Sequence, residues 1–384
     1  MEWYQILFGV IVGLLLLTIL IIIHELGHAF AARRNGVEVE EFGIGFPPRA
    51  KILGRNKGTL ITLNWLLPIG GFCKMKGEDG ASNEEGSFGA ASYFGKTKIL
   101  FAGALANLLA AFVIFSVLAV VGLPKIIPDQ FVMPGDTTIV SSPVTVVAVN
   151  SGSPAAEDDI RPGDEIISLA GEPLKQAYQL SERTAEHRGE TVTIELRREG
   201  EVLVKEVALL NQANGGYLGV SAGQSEHTRS TWSAPIVGVV VSGQFAWTTL
   251  QSLGNLVVNF VSGLVGSVSP DSDTREAASA NLSSAGDSVS GPVGILGVIF
   301  PNAMMAGVTQ LAFITGIISL TLAIMNILPI PGLDGGRWLL MTIFKIIRRP
   351  LSKDLEATIN GIGMLVLFGL IILITIADIF KIWG

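Results

Sequence analysis

Residues 3–30 read WYQILFGVIVGLLLLTILIIIHELGHAF, and this stretch decides the fold. Trp3 to Ile23 carry no charge. A bilayer core of about 30 Å takes roughly 20 apolar residues as a helix, so the run reads as a membrane span. It ends in His24-Glu25-Leu26-Gly27-His28, where ionisable groups sit against an apolar run. Such groups are costly at membrane depth and mark function by default. Positions four apart share a helix face, so the two imidazoles can hold one Zn²⁺ with Glu25 beside them as general base. Bound zinc lowers the pKa of water to about 7, and a nearby carboxylate can take the proton as that water attacks a carbonyl. The chain has only four histidines, and two stand in this pentapeptide.

The rest of the chain extends the membrane reading. Hydrophobic residues make up 49% and charged residues 15%, against about 25% charged in soluble domains. Three further uncharged stretches are long enough to cross: Ile99 to Leu123, Ser288 to Leu333 with 306–328 as its helix-competent part, and Ala357 to Ala377. The expected fold is therefore an α-helical multi-pass membrane protein with about four transmembrane helices. The first span lacks a basic leader and a small-residue cleavage site, so it is not expected to be a removed signal peptide. Lysines and arginines gather between the first two spans, from Arg33 to Lys98, and between the last two, from Lys345 to Lys353. The positive-inside rule puts both segments in the cytoplasm and the region between spans two and three outside. The net charge of -7 argues against a nucleic-acid partner, which would need a basic patch. A single cysteine, Cys73, excludes an internal disulfide.

A fifth uncharged stretch, Ser230 to Pro270, is more polar. Phe245, Leu250, Leu253, Val257 and Val261 recur at helical spacing, which suggests an amphipathic helix over 236–266 on the outer surface. A fifth crossing there would put Asp334 on the side opposite His24 and His28. Residues 267–290, rich in Ser, Ala and Asp, read as a mobile loop.

Between the spans, two regions carry strand patterns. Thr59 to Trp65 alternate in the strand manner, with glycines such as Gly43, Gly45, Gly70 and Gly71 around them. This predicts a small β-hairpin element beside the membrane. Residues 139–223 read as one inserted extracytoplasmic α/β domain. The expected organisation is helix one with HELGH over 1–34, the β-element and loop over 35–95, helix two over 96–123 and a linker over 124–138. The inserted domain (139–223) precedes an amphipathic helix and loop (224–302), helix three (303–335), a cytoplasmic loop (336–356) and helix four (357–384).

A catalytic zinc site has three protein ligands and one open position. His187 and His227 lie in the extracytoplasmic region, and Cys73 stands alone. Asp334 is the better third ligand, in NILPIPGLDGG over 326–336. His24 lies about 20 residues, or roughly 30 Å, along span one, and Asp334 a comparable distance along span three. Pro329 and Pro331 forbid regular helix there, and irregular backbone at membrane depth is tolerated only inside protein or beside a cavity. Asn326 is either a donor to a substrate carbonyl or a helix-packing amide.

These residues resemble the site-2 protease family of intramembrane zinc metalloproteases, most of all the bacterial regulator-of-sigma-E protease type. The resemblance rests on HELGH, on Asn326-x-x-Pro-x-Pro-x-x-Asp334-Gly-Gly, on Ser290-Gly-Pro-Val-Gly294, and on Gly103-Ala-Leu-Ala-Asn107. Residues 139–223 resemble a PDZ domain through Ser153-Pro-Ala-Ala and Arg161-Pro-Gly-Asp-Glu-Ile-Ile. The resemblance implies zinc on His24, His28 and Asp334, Glu25 as base, and Asn326 assisting. It also implies a re-entrant β-element over 36–80 that takes unwound substrate as an added strand. Gly43, Gly45 and Asn107 are candidates for substrate binding. The PDZ-like domain would bind or screen extracytoplasmic substrate ends. The implied activity is hydrolysis of membrane-embedded protein substrates, such as anti-sigma factors or remnant signal peptides, in the plasma (inner) membrane. Two departures stand out: Gly103-Ala104 replaces the family's Gly-Pro, and one PDZ-like domain replaces two. The alternative is a membrane-anchored PDZ binding module with an inactive protease core, and the intact Glu25 argues against it. A zinc transporter or sensor would show more intramembrane ligands.

Overall fold

The computed structural model describes residues 2–78, 84–211, 216–287, 290–349 and 351–383. The chain divides into two compact units, Met1–Val121 with Trp232–Gly384, and Gly122–Thr231.

In the first unit, the uncharged run and HELGH form one continuous helix, α1 (Trp3–Arg34). Gly36, at φ 77°, ends it in the left-handed conformation that glycine adopts freely. Two long antiparallel strands follow, β1 (Val39–Asn56) and β2 (Thr59–Met75). Lys57 and Gly58 join them, both with positive φ, as a two-residue type I′ turn requires. The register doubles back: Phe42 pairs with both Cys73 and Ile61, and Gly43 with both Phe72 and Thr62. The hairpin is therefore folded into four rungs, with 71–75 on an edge beside 39–44. Helix α2 (Tyr93–Val121) runs back along α1, and Gly27 lets the helices close until the Ala102 carbonyl touches it.

The inserted unit holds β3 (Leu123–Pro124), β4 (Thr138–Ser141), β5 (Val144–Val149) and the short helix α3 (Pro154–Glu157). β6 (Glu165–Leu169), β7 (Glu172–Pro173), α4 (Ala177–Glu186), β8 (Thr191–Arg198), β9 (Glu201–Ala208), β10 (Val220–Gly223) and β11 (Glu226–Arg229) follow. The main sheet has the order β10-β5-β6-β8-β9, with β7 on β6, and a second sheet has the order β3-β11-β4. Its core is alternating strand residues, among them Val144, Val146, Ile166, Ile194 and Leu196.

The chain then returns to the first unit. The stretch expected on the membrane surface forms one 34-residue helix, α5 (Ala234–Ser267). Its first turns are buried: Gly238 fits against Ser116, and Phe245 packs with Phe115 and Phe313 at ring-centroid distances of 5.4 and 5.6 Å. Leu250, Val257 and Val261 are exposed. By length and composition α5 can cross a membrane, so among the described residues there are five candidate spans where four were expected. Residues 267–290, expected as a loop, contain helix α6 (Ser272–Asp287). Small residues explain it: Gly263 and Gly266 let α6 lie directly on α5 through Leu282 and Ala278.

The uncharged 288–333 stretch splits in two. Its first part is a short apolar helix, α7 (Pro292–Met305), with a π-turn over Ile295–Ile299. Phe300 and Pro301 of α7 fill the gaps left by Gly13 and Gly9 on α1. Gly307, at φ 103°, breaks the chain before α8 (Val308–Ile327). The expected cytoplasmic loop over 336–356 is partly helical, since α9 (Asp334–Ile346) starts at Asp334 itself. The last helix, α10 (Lys353–Trp383), is held near both ends. Gly363 lies against the Pro331 carbonyl, and the buried Asp378 carboxylate accepts from Gly294 N at 2.7 Å.

Candidate metal centre

Helix α1 places His24 and His28 one turn apart on the face against α2, both buried. Asp334 reaches them from the far end of the chain because α8 stops at Ile327. Pro329 and Pro331 carry the backbone round, and Gly335 and Gly336 tuck under the Ile327 and Ile330 carbonyls. A Cβ at either glycine would overlap those carbonyls, so the double glycine is what lets α9 begin there. Arg337 then ties α9 down. Its guanidinium bonds Glu356 at 2.9 Å and Glu78 at 3.2 Å, donates to the Glu78 carbonyl, and stacks on Phe88.

The three ligand atoms form a nearly equilateral triangle. His24 Nε2 and His28 Nε2 lie 3.1 Å apart, and each is 3.3 Å from Asp334 Oδ2. Tetrahedral donors at about 2.0–2.1 Å from Zn²⁺ are roughly 3.3–3.4 Å apart, so the triangle is the right size for one face of that tetrahedron. The protonation pattern agrees. His28 Nδ1 donates to the Ile99 carbonyl at 2.8 Å, which leaves a bare lone pair on Nε2 pointing at its neighbours. Asp334 Oδ2 is buried and has no hydrogen-bond partner. Lone pairs converging in a buried space are stable around a cation. Among the described residues this is the only set of His, Cys, Asp and Glu with metal-ligand spacing.

Gly103 is the residue that sequence reasoning undervalued. It appeared as a small packing residue, but a Cβ there would fall 2.7 Å from His24 Nε2 and closer still to His28 Nε2. The α2 backbone is thus the back wall of the centre. The spacing of Gly103 to the histidines is a tertiary fact, and the glycine in Gly103-Ala-Leu-Ala-Asn107 was its only trace in the sequence.

A cavity of about 410 Å³ opens in front of the triangle. Glu25 lines it beside the ligands, together with Asn326, Arg337 and the edge strand from Phe72 to Met75. A Cβ added at Gly71 would lie 3.8 Å from Glu25 Cγ, so that strand runs beside the Glu25 side chain. Asn326 donates from Nδ2 to the Leu322 carbonyl at 2.9 Å, so one of its two amide hydrogens is spent on its own helix. The substrate-binding candidates lie elsewhere. Gly43 is an inner rung of the sheet and holds the Phe72 ring, Gly45 accepts from Asn64 at 2.9 Å, and Asn107 is buried in α2. Cys73 lines the cavity but is not in the ligand set, and His187 and His227 belong to the inserted unit.

The profile of peptidase family M50 matches residues 12–370. The chain belongs to this family, the site-2 proteases. Full-length relatives agree. A Clostridium perfringens protein is 31% identical over 96% of this chain and 98% of its own length, and a Clostridium acetobutylicum protein is 29% identical over 97% of both. A Campylobacter jejuni protein is 30% identical over 100% of this chain and 96% of its own. All three are provisionally named zinc metalloproteases. As an M50 protein the chain is a zinc metalloprotease by family, and its apolar helices embed it in a membrane. A solved PDZ domain of an SdrC-like protein from Listeria monocytogenes is also similar in part, at 22% identity, 21% of this chain, 86% of that one and a TM-score of 0.19.

Proposed function

We propose that this protein hydrolyses peptide bonds of membrane-embedded protein segments, with His24, His28 and Asp334 holding zinc and Glu25 as general base. The observation that carries the reading is the 3.1–3.3 Å donor triangle with a carboxylate beside it, set where the uncharged run Trp3 to Ile23 of α1 ends. Zinc held there supplies the Lewis acidity that acidifies water and polarises a carbonyl. Glu25 takes the proton that the attacking water loses and passes it to the amide nitrogen as the C–N bond breaks. The remaining hydroxyl ends on the carbonyl carbon, so one water is consumed per bond. Asn326 offers its second Nδ2 hydrogen to the carbonyl oxygen as charge develops there.

A helical peptide bond is shielded and must unwind before attack. The edge strand over 71–75 fits an unwound segment, because β-addition satisfies its backbone groups while carrying it past Glu25. The substrate class is single-pass membrane proteins, of the kind of trimmed anti-sigma factors or remnant signal peptides. The inserted PDZ-like unit has a groove of about 180 Å³ between α4 and the free edge of β10, lined by Leu180, Leu218 and Val220, which suits a substrate end. Sidedness follows the lysines and arginines: the zinc centre lies toward the cytoplasm and the inserted unit outside, in the plasma (inner) membrane. α5 lies at the outer surface in this arrangement.

The test is cleavage of a model transmembrane substrate in detergent by the wild type and by Glu25→Gln. The variant is expected to lose activity by about 10²–10⁴-fold with its zinc content unchanged. Equal cleavage by both proteins would remove Glu25 from the mechanism.

A further inference from the structure

The two zinc-binding histidines differ in how they are supported. His28 Nδ1 has its partner, the Ile99 carbonyl at 2.8 Å. His24 Nδ1 is buried and has none. A metal-ligating imidazole almost always donates its other N–H to a carboxylate, a backbone carbonyl or water, which fixes tautomer and ring orientation, and a carboxamide oxygen is an acceptor of the same kind. The amide of Asn107 is the complementary orphan. Asn107 is fully buried, and neither its Oδ1 nor its Nδ2 has a hydrogen-bond partner.

The helices bring these two orphans to one level. α1 and α2 run antiparallel, with His28 against Ile99 and both histidines against Gly103. Asn107 lies one turn beyond Gly103 on the same face, and helical side chains lean back toward the N-terminus. A side chain leaning that way is directed back toward the Gly103 turn, the turn that faces the His24 ring. Between Lys98 and Ser116, Asn107 is the only polar side chain on α2. The neighbouring helix α8 already engages its backbone, because Ser319 Oγ donates to the Asn107 carbonyl at 2.8 Å. That contact leaves the side chain unaccounted for.

We infer that Asn107 is the positioning residue for His24, with Oδ1 accepting from His24 Nδ1–H when the ring carries zinc. Nδ2 then donates to the Gly103 carbonyl four residues back, as Asn326 does to Leu322. This assigns Asn107 to the metal centre rather than to substrate. It rests on the zinc reading above and deepens it.

The test compares Asn107→Leu, which keeps the volume and removes the acceptor, with Asn107→Asp, which keeps an acceptor. Both are made in the full chain in detergent. Zinc affinity is read by competition with a chelator, and site geometry by the visible absorption of the cobalt-substituted protein. Asn107→Leu is expected to bind zinc about 10–100-fold more weakly and to alter the cobalt spectrum, and Asn107→Asp to stay near wild type in both. Thermal unfolding of the metal-free proteins separates packing from positioning: the inference expects the loss to appear in the zinc-induced rise of the midpoint. Wild-type zinc affinity and cobalt spectrum in Asn107→Leu overturn it. So do equal losses in both variants matched by equal losses of metal-free stability. If instead wild type and His24→Ala bind zinc alike, the zinc reading itself fails.

Discussion

Asp164 in the inserted unit and Asp334 in the membrane unit both bury carboxylate oxygens, and the protein treats them in opposite ways. The Asp164 carboxylate accepts from Arg198 Nε at 2.7 Å, Arg198 Nη2 at 2.8 Å and Arg161 N at 2.8 Å. The hydrogen bonds to Arg198, with the Arg161 backbone bond, hold its carboxyl below the usual carboxylate range, and Asp164 and Asp159 in turn hold the guanidinium charged. Asp334 Oδ2 faces only two imidazole nitrogens at 3.3 Å, with no donor. Structural burial of charge is satisfied within the chain, as at Asp164. At Asp334 the described residues bring only the two imidazoles to Oδ2, with no arginine, lysine or backbone donor, the arrangement a candidate metal ligand would need.

The contrast can be broken most directly at Asp334. Asp334→Ala is expected to weaken zinc binding at least about a hundredfold and to abolish cleavage, since a ligand is worth more than the groups that support one. Full zinc content by elemental analysis, with full activity, would show that the third donor lies elsewhere. A smaller loss is expected from Gly103→Ala, whose methyl group would press on both ligand nitrogens. Zinc affinity should fall about tenfold or more. Gly243→Ala, where nothing lies within 4 Å, should leave it unchanged, and equal behaviour of the two variants would refute the back-wall role.

Asp164→Ala should spare zinc content and loosen the inserted unit. The expected destabilisation is about 2 kcal/mol, below the 3–5 typical of a fully buried pair because Arg198 is partly exposed. Hydrogen exchange of the β8 amides in the intact chain measures it. The smallest effect is a pH dependence. Because Asp164 has a lowered folded value, its contribution is complete above the unfolded carboxylate value of about 3.9 and fades as pH falls through the folded one. Exchange of the same amides between pH 3 and 7 should show this acid loss in wild type, and a weaker one in Asp164→Asn.

How much of this was legible in the sequence follows the range of the forces involved. HELGH could be read because a four-residue spacing on a helix is local geometry. Asp334 could be read because two prolines and two glycines leave the backbone few ways to run. The β-hairpin showed in its alternation, although its doubled register did not, since pairing partners are set by long-range fit. α6 was misread as a loop: its Ser- and Asp-rich composition disfavours an isolated helix, and it forms against Gly263 and Gly266 of α5. The helical start of α9 was hidden behind the same prolines that revealed Asp334. Gly103 looked like a packing residue and Asn107 like a substrate-binding candidate, because what α1 brings against α2 is set by tertiary packing.

The donors that meet in the zinc centre are encoded about three hundred residues apart. At synthesis rates of about 5–20 residues per second, the ribosome extends the chain for roughly 15 to 60 s after HELGH before Asp334 exists. Throughout that interval the nascent chain carries two of the three converging side chains without the third, so the donor triangle can close only late in synthesis.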